Sequence, residues 1–230
     1  MRISFVILAF LLISSTCGEK NESSLDWTVS VPEISVNAVP LFIEREQNDL
    51  VTLWFTAEHG EDSFSLDKIH ITFTPESAVG SLQSITAWYT GVVPGVPERT
   101  LMATTSTPGI NTILDGNVEL GQGKNYFVLS FSARSDADLC GILDVSSVTL
   151  SFSDRSTAEC SAPSSQPPIR FGKIVRAAGQ DGVDTYRIPG LVATNAGTLI
   201  AVYDNRYNSS KDLQQDIDIG MSRSTDGGRT

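Results

Sequence analysis

From Ser24 onward the chain alternates apolar and polar positions over short runs. "WTVSVPEISV", "LVTLWFTAE", "KIHITFTP", "SITAWYTGV", "NYFVLSFSA" and "SVTLSFSD" place valine, threonine and aromatic residues in alternation with polar ones, the period of a half-buried strand. Gly, Pro, Asn and Asp punctuate the runs, and no amphipathic helical spacing interrupts them. Strands at this spacing predict a β-sandwich over residues 25–155. "STAECSAPSSQPP", residues 156–168, reads as a linker on its Ser, Ala and Pro content. After it the rhythm tightens. "RIPGLVAT", "TLIAVYDNR" and "DIDIGMSRS" predict three antiparallel strands, and Asp226-Gly227 is a hairpin signal.

Such a meander has the shape of one propeller blade. A blade buries its faces only against neighbouring blades, so residues 169–230 are expected to open a propeller that continues past Thr230. The expected fold is all-β: an N-terminal sandwich, then the first blade of a six-bladed β-propeller, in an N-terminal fragment of a longer protein.

The first residues have a different pattern. One basic residue, Arg2, precedes an apolar run from Phe5 to Ile13 and then small residues from Ser14 to Gly18. That run is too short to cross a bilayer and has the layout of a secretory signal over residues 1–24. Cys17 is a candidate lipid-anchor site, although Ser14 stands where a lipoprotein signal usually has an aliphatic residue. The protein is therefore expected to be exported to the periplasm, the outer membrane or the medium. Cys140 and Cys160 then remain, and an oxidising compartment allows them to pair without requiring it.

Charge narrows the partners. A net charge of −11 over 230 residues leaves no basic face for nucleic acid. His59 and His70 lie near no acid–cysteine cluster with zinc spacing, and no phosphate-cradling glycine loop occurs. Asn21-Glu22-Ser23 and Asn208-Ser209-Ser210 fit a glycosylation pattern that carries nothing in a bacterial protein. The adjacent Trp88 and Tyr89 face opposite sides of a strand, so one ring belongs to the core and the other to the surface. A surface ring there suits a sugar-binding front domain or plain packing.

An arginine at the start of a strand needs an anion or water, because it cannot shed its charge. Arg187 in "DTYRIPG" raises that question, with Asp184 as the nearest structural answer. "YRIP" at Tyr186–Pro189, "YDNR" ending at Arg206, and "STDGGRT" at Ser224–Thr230 together resemble the catalytic propeller of bacterial exo-α-sialidases (neuraminidases). The last stretch is similar to that family's Asp-box, whose closing tryptophan would be residue 231. The likeness covers about residues 170–230.

The resemblance implies hydrolysis of terminal sialic acid from glycoproteins, glycolipids and oligosaccharides with retention, without cofactor or metal. Arg187 corresponds to the first of three arginines that clamp the substrate carboxylate. Asp212, 25 residues beyond Arg187, corresponds to the acid/base, and Asp204 is its rival. To stay protonated until it donates, Asp212 would need a pKa above the ordinary Asp value of ~3.9. Arg206 contacts the substrate or braces Asp212; the sequence leaves both open. Asp216 and Asp218 alternate in the third strand as solvent-facing or structural groups. The family's tyrosine nucleophile and its partner glutamate lie downstream, so Tyr186, Tyr203 and Tyr207 are read as motif and packing residues. A non-catalytic glycan-binding protein and a trans-sialidase are the alternatives.

Overall fold

A computed structural model describes residues 26–58, 60, 62–92, 98–212 and 216–230. The expected signal over residues 1–24, its Cys17 and His59 lie outside the described residues. Among the described residues sixteen strands follow one another, beginning with β1 Thr28–Val29, β2 Glu33–Val36, β3 Leu41–Phe42, β4 Asn48–Glu58, β5 Ser65–Phe73, β6 Leu82–Gly91, β7 Thr100–Thr105 and β8 Asn111–Glu119. Then come β9 Gly123–Ala133, β10 Ile142–Leu143, β11 Val145–Phe152, β12 Thr157–Ser161, β13 Ile169–Gly172, β14 Thr185–Ala193, β15 Leu199–Arg206 and β16 Ile217–Ser224. The fold is all-β.

Two sheets make the front sandwich. One runs β1-β4-β9-β6-β7 with β2 also on β4; the other runs β12-β11-β5-β8. The alternation in sequence becomes alternation of faces. On β4, Leu53, Phe55 and Ala57 point into the core while Thr52, Trp54 and Thr56 point out. Rings join the two sheets. Phe55 on β4 meets Phe152 on β11 edge-on at 5.5 Å, and Phe73 on β5 meets Phe131 on β9 at 6.5 Å. Tyr89 packs on Phe127 at 4.9 Å and donates to Asn125 Oδ1 at 2.7 Å, whereas Trp88 faces away, under the Arg99 guanidinium.

A small third sheet, β10-β13-β3, closes one end. Its Leu41, Leu143, Ile169 and Phe171 belong to the same core. Two expectations change here. Residues 156–168 are not a plain linker, because Thr157–Ser161 forms β12 on the edge of the second sheet, pairing residue by residue with β11. Ile169–Gly172 belongs to the sandwich rather than to the blade, since β13 pairs in parallel with β3. An edge strand needs only one buried side chain here, Cys160, so its polar composition resembled a loop. Cys140 and Cys160 are both free thiols, the first exposed and the second buried. Burial pushes the Cys160 thiol up to about 11.

The second unit is the antiparallel meander β14-β15-β16. Lys173 ties it to the sandwich, pairing with Glu44 at 3.7 Å and donating to the Arg229 carbonyl oxygen. Leu191, Ile219 and Met221 on this sheet are largely exposed, as expected when three strands alone must cover apolar faces.

Phe127 is fully buried between Phe55 and Tyr89. Phe127→Ala should lower unfolding free energy by about 3–5 kcal/mol, read from urea denaturation. A loss under about 1 kcal/mol would mean the two sheets do not close on this residue.

Candidate active site

Register decides which side chains meet. Arg187 on β14 stands opposite Asp204 on β15, and Arg206 lies two residues further on the same face. Tyr186, Tyr203 and Asn205 alternate with them and belong to the other face. Tyr186 and Tyr203 pack edge-on there at 5.3 Å. Tyr203 accepts from Arg176 Nε at 2.8 Å and shares a hydrogen bond with Ser222 at 2.7 Å. These contacts give Tyr186 and Tyr203 packing roles.

The ladder between β14 and β15 breaks between Arg187 and Gly190. Ile188 sits there at φ 52°, a conformation that a β-branched residue adopts only under constraint. The bulge interrupts the pairing just beyond Arg187, and the ladder resumes at Gly190.

Arg187 does not take Asp184, whose carboxylate accepts from Thr185 Oγ1 at 2.7 Å. It reaches across to the loop after β15, donating to the Ser210 carbonyl at 2.8 Å and to Asp212 Oδ1 at 3.2 Å. Arg206 meets the same oxygens from below. Its Nη1 lies 2.7 Å from Asp212 Oδ1 and donates to the Ser210 and Lys211 carbonyls at 3.0 and 2.8 Å. Its Nη2 holds Asp204 Oδ2 at 3.0 Å. The Arg206 side chain is only 2% exposed, while those of Arg187 and Asp212 are 40% and 64% exposed. A buried guanidinium with these partners braces the loop; an open one beside a carboxylate has room for a ligand. Asp204 is committed to Arg206. Asp218 accepts from Tyr207 at 3.3 Å and the Asp216 carbonyl accepts from the Tyr207 amide, both away from this cluster.

The expected rise in the Asp212 pKa is not what this arrangement produces. The hydrogen bond from Arg206, with the charge of Arg187 beside it, holds the carboxyl below the usual carboxylate range. The group is well solvated, so the opposing effect of burial is too small to offset the two cations. A cleft of about 450 Å³ between sandwich and meander is lined by Phe42, Arg45, Lys173, Arg176, Tyr186 and Arg187 among others, but not by Arg206 or Asp212. The ion-pair cluster therefore lies outside that cleft, with Arg187 at the border.

The Ser224–Thr230 turn closes on Asp226. Its carboxylate accepts from Ser224 Oγ, the Arg229 and Thr230 amides and Thr230 Oγ1 at 2.6–3.0 Å. Gly227 and Gly228 take left-handed φ of 72° and 90°, open to glycine without strain. Asp226 is a structural acid.

The class this architecture defines is an all-β protein with a sandwich followed by the opening blade of a propeller. The chain is 35% identical over 221 residues to a sialidase of Bacteroides fragilis (strain YCH46), covering 84% of this chain and 40% of the relative. It is 38% identical over 61 residues to an anhydrosialidase of Macrobdella decora, 26% of this chain and 8% of that protein. Among solved structures it is similar to the Hadza microbial sialidase Hz136, with 29% identity and a TM-score of 0.69, covering 86% of this chain and 42% of that one. No family model matches. The chain thus resembles sialidases over most of its length and spans about two-fifths of the sialidases it matches over that length.

The four hydrogen bonds hold the Asp226 carboxyl well below its ordinary range. A depressed pKa stabilises the fold above the unfolded Asp value of ~3.9 and loses that contribution as pH falls further. The midpoint of thermal unfolding of the wild type should therefore drop more between pH 5 and 3 than that of Asp226→Ala. Parallel pH curves would contradict this account of the turn.

Proposed function

We propose that this chain supplies the front sandwich and the first catalytic blade of an exported exo-α-sialidase that removes terminal sialic acid with retention. The observation that carries the reading is one carboxylate, Asp212, shared by Arg187 and Arg206 in a chain 35% identical to a sialidase. Arg187 is the carboxylate clamp: its guanidinium is partly open, and planar guanidinium groups bind carboxylates through two parallel hydrogen bonds. Arg206 is the brace, because both of its Nη atoms are engaged by Asp204, Asp212 and two loop carbonyls. "YRIP" and the Ser224–Thr230 Asp-box support the same assignment. The tyrosine nucleophile of this chemistry belongs to residues outside those matched here.

Asp212 is the general acid/base, and substrate binding sets its protonation. In the free protein Asp212 occupies the Arg187 guanidinium that the substrate carboxylate would take. An arriving carboxylate competes for Arg187, places a second negative charge beside Asp212 and displaces water from it. Each change raises the Asp212 pKa toward the proton-holding form that protonation of the leaving oxygen requires.

Release of sialic acid from a fluorogenic α-sialoside by the full-length gene product tests the reading. Asp212→Ala and Arg187→Ala should each cut kcat/KM by roughly 10²-fold or more, and residues 1–230 alone should give no turnover. Wild-type rates in either folded variant would remove that residue from the mechanism. No turnover by the folded wild type would refute the hydrolase.

A further inference from the structure

Asp204 belongs to the ion-pair cluster but has no step in the proposed chemistry. It stands opposite Arg187 across the β14–β15 ladder and two residues before Arg206 on the same face. Side chains opposite one another on a sheet face have Cβ atoms about 5 Å apart, so a second carboxylate lies beside the anion clamp. The Asp204 side chain is 26% exposed against 64% for Asp212. Among the described residues its one cationic partner is Arg206, whose Nη2 lies 3.0 Å away. Arg206 thus carries a carboxylate on each terminal nitrogen, with Asp212 2.7 Å from Nη1. Its Nε is buried with no hydrogen-bond partner among the described residues, so the two aspartates divide one buried positive charge between them.

Few other charges reach Asp212. Arg187 comes from β14, and Asp204 and Arg206 come from β15. In the loop, Lys211 is exposed and turns its carbonyl, not its ammonium, to Arg206. From β16, Ile219 and Ile217 stand opposite Asp204 and Arg206. Asp218 is held by Tyr207 on the other face, and Asp216 is exposed just before β16. When a substrate carboxylate takes Arg187, Asp212 keeps Arg206, and Asp204 has already neutralised part of that charge. A nearby like charge disfavours the ionised form of a carboxyl, and the buried guanidinium between the two aspartates leaves little water to screen them.

We propose that Asp204 is a positioning residue that acts through Arg206: its charge weakens the hold of Arg206 on Asp212, so that Asp212 takes up a proton when a substrate carboxylate engages Arg187. The catalytic part of this inference rests on the sialidase reading above; the charge balance in the free protein does not. Two effects of opposite sign follow. Asp204 repels an incoming carboxylate from the clamp it faces, which weakens binding. It also repels charge on Asp212, which favours the proton that the leaving oxygen needs. Asp204→Asn keeps the size and an acceptor oxygen for Arg206 while deleting the charge. It should therefore tighten substrate binding and slow the chemical step. A residue that only braced the fold would impair both.

The test compares full-length wild type, Asp204→Asn and Asp204→Glu on a fluorogenic α-sialoside across pH. Because Asp212 must hold its proton in the complex, kcat falls as pH rises through its value there. Asp204→Asn should move that fall to lower pH by about half a unit or more. Above the fall kcat should drop roughly threefold or more, KM should fall as well, and the kcat deficit should vanish as pH is lowered. Asp204→Glu keeps the charge and should follow the wild type. Carbon-13 titration of the Asp212 carboxyl gives a readout without turnover: its value in the free protein should be lower in Asp204→Asn than in wild type. A wild type without turnover would refute the hydrolase, and this titration would still decide the charge balance. An unmoved Asp212 titration in folded Asp204→Asn, a kcat loss equal at every pH, or a rise in KM would overturn the proposal.

Discussion

Arg206 is almost wholly removed from water, and an arginine cannot neutralise itself. Burying its charge is tolerable only if paired acids and hydrogen bonds replace the lost hydration. The structure meets that demand with Asp204 beside it on β15 and with Asp212 and the Ser210 and Lys211 carbonyls from the following loop. The loop is thereby folded back over the strand that precedes it. Because the brace holds Asp212, and Arg187 reaches the same carboxylate and the same Ser210 carbonyl, a residue of β14, the last residue of β15 and a residue of the following loop become one cluster.

Everything around that cluster serves to keep it in place. The bulge at Ile188 interrupts the β14–β15 ladder next to Arg187 before it resumes at Gly190. Tyr186 and Tyr203 anchor the opposite face, and Gly220 on β16 leaves room for the Tyr203 ring and the Asn205 amide, where a Cβ would collide with both. Arg176, Lys173 and Glu44 fasten the meander to the sandwich. The cluster is a resting arrangement as well as a scaffold. Asp212 sits on the Arg187 guanidinium, ionised and solvated, and in the proposed mechanism a bound carboxylate reverses each of those conditions.

Sequence pattern reveals the long strands because period-two alternation survives wherever one face is buried and the other wet. β4, β5, β6, β9 and β11 were legible for that reason. Two-residue strands such as β3 and β10 are too short to carry a period, and the parallel pairing of β3 with β13 depends on residues about 130 apart. β12 escaped notice because an edge strand with one buried residue has the composition of a loop. At the site, Arg187, Arg206 and Asp212 stood out through the resemblance of their motifs to sialidases, yet their mutual pairing did not. A motif gives candidates, while the burial of Arg206 and the exposure of Asp212 arise only when β14 and β15 pair. The low pKa of Asp212, opposite to the expected rise, is a consequence of that same pairing.

The most direct test is the ionisation of Asp212 itself. Carbon-13 resonances of labelled aspartate side chains, assigned with Asp212→Asn and followed across pH, would report its titration in the full-length protein with and without a non-hydrolysable α-sialoside. The account predicts a free value below the ordinary ~3.9 and a clear rise when the sialoside binds. A free carboxyl that titrates at or above the ordinary value, or one that ignores a saturating ligand, would contradict the shared hold of Arg187 and Arg206 on this group.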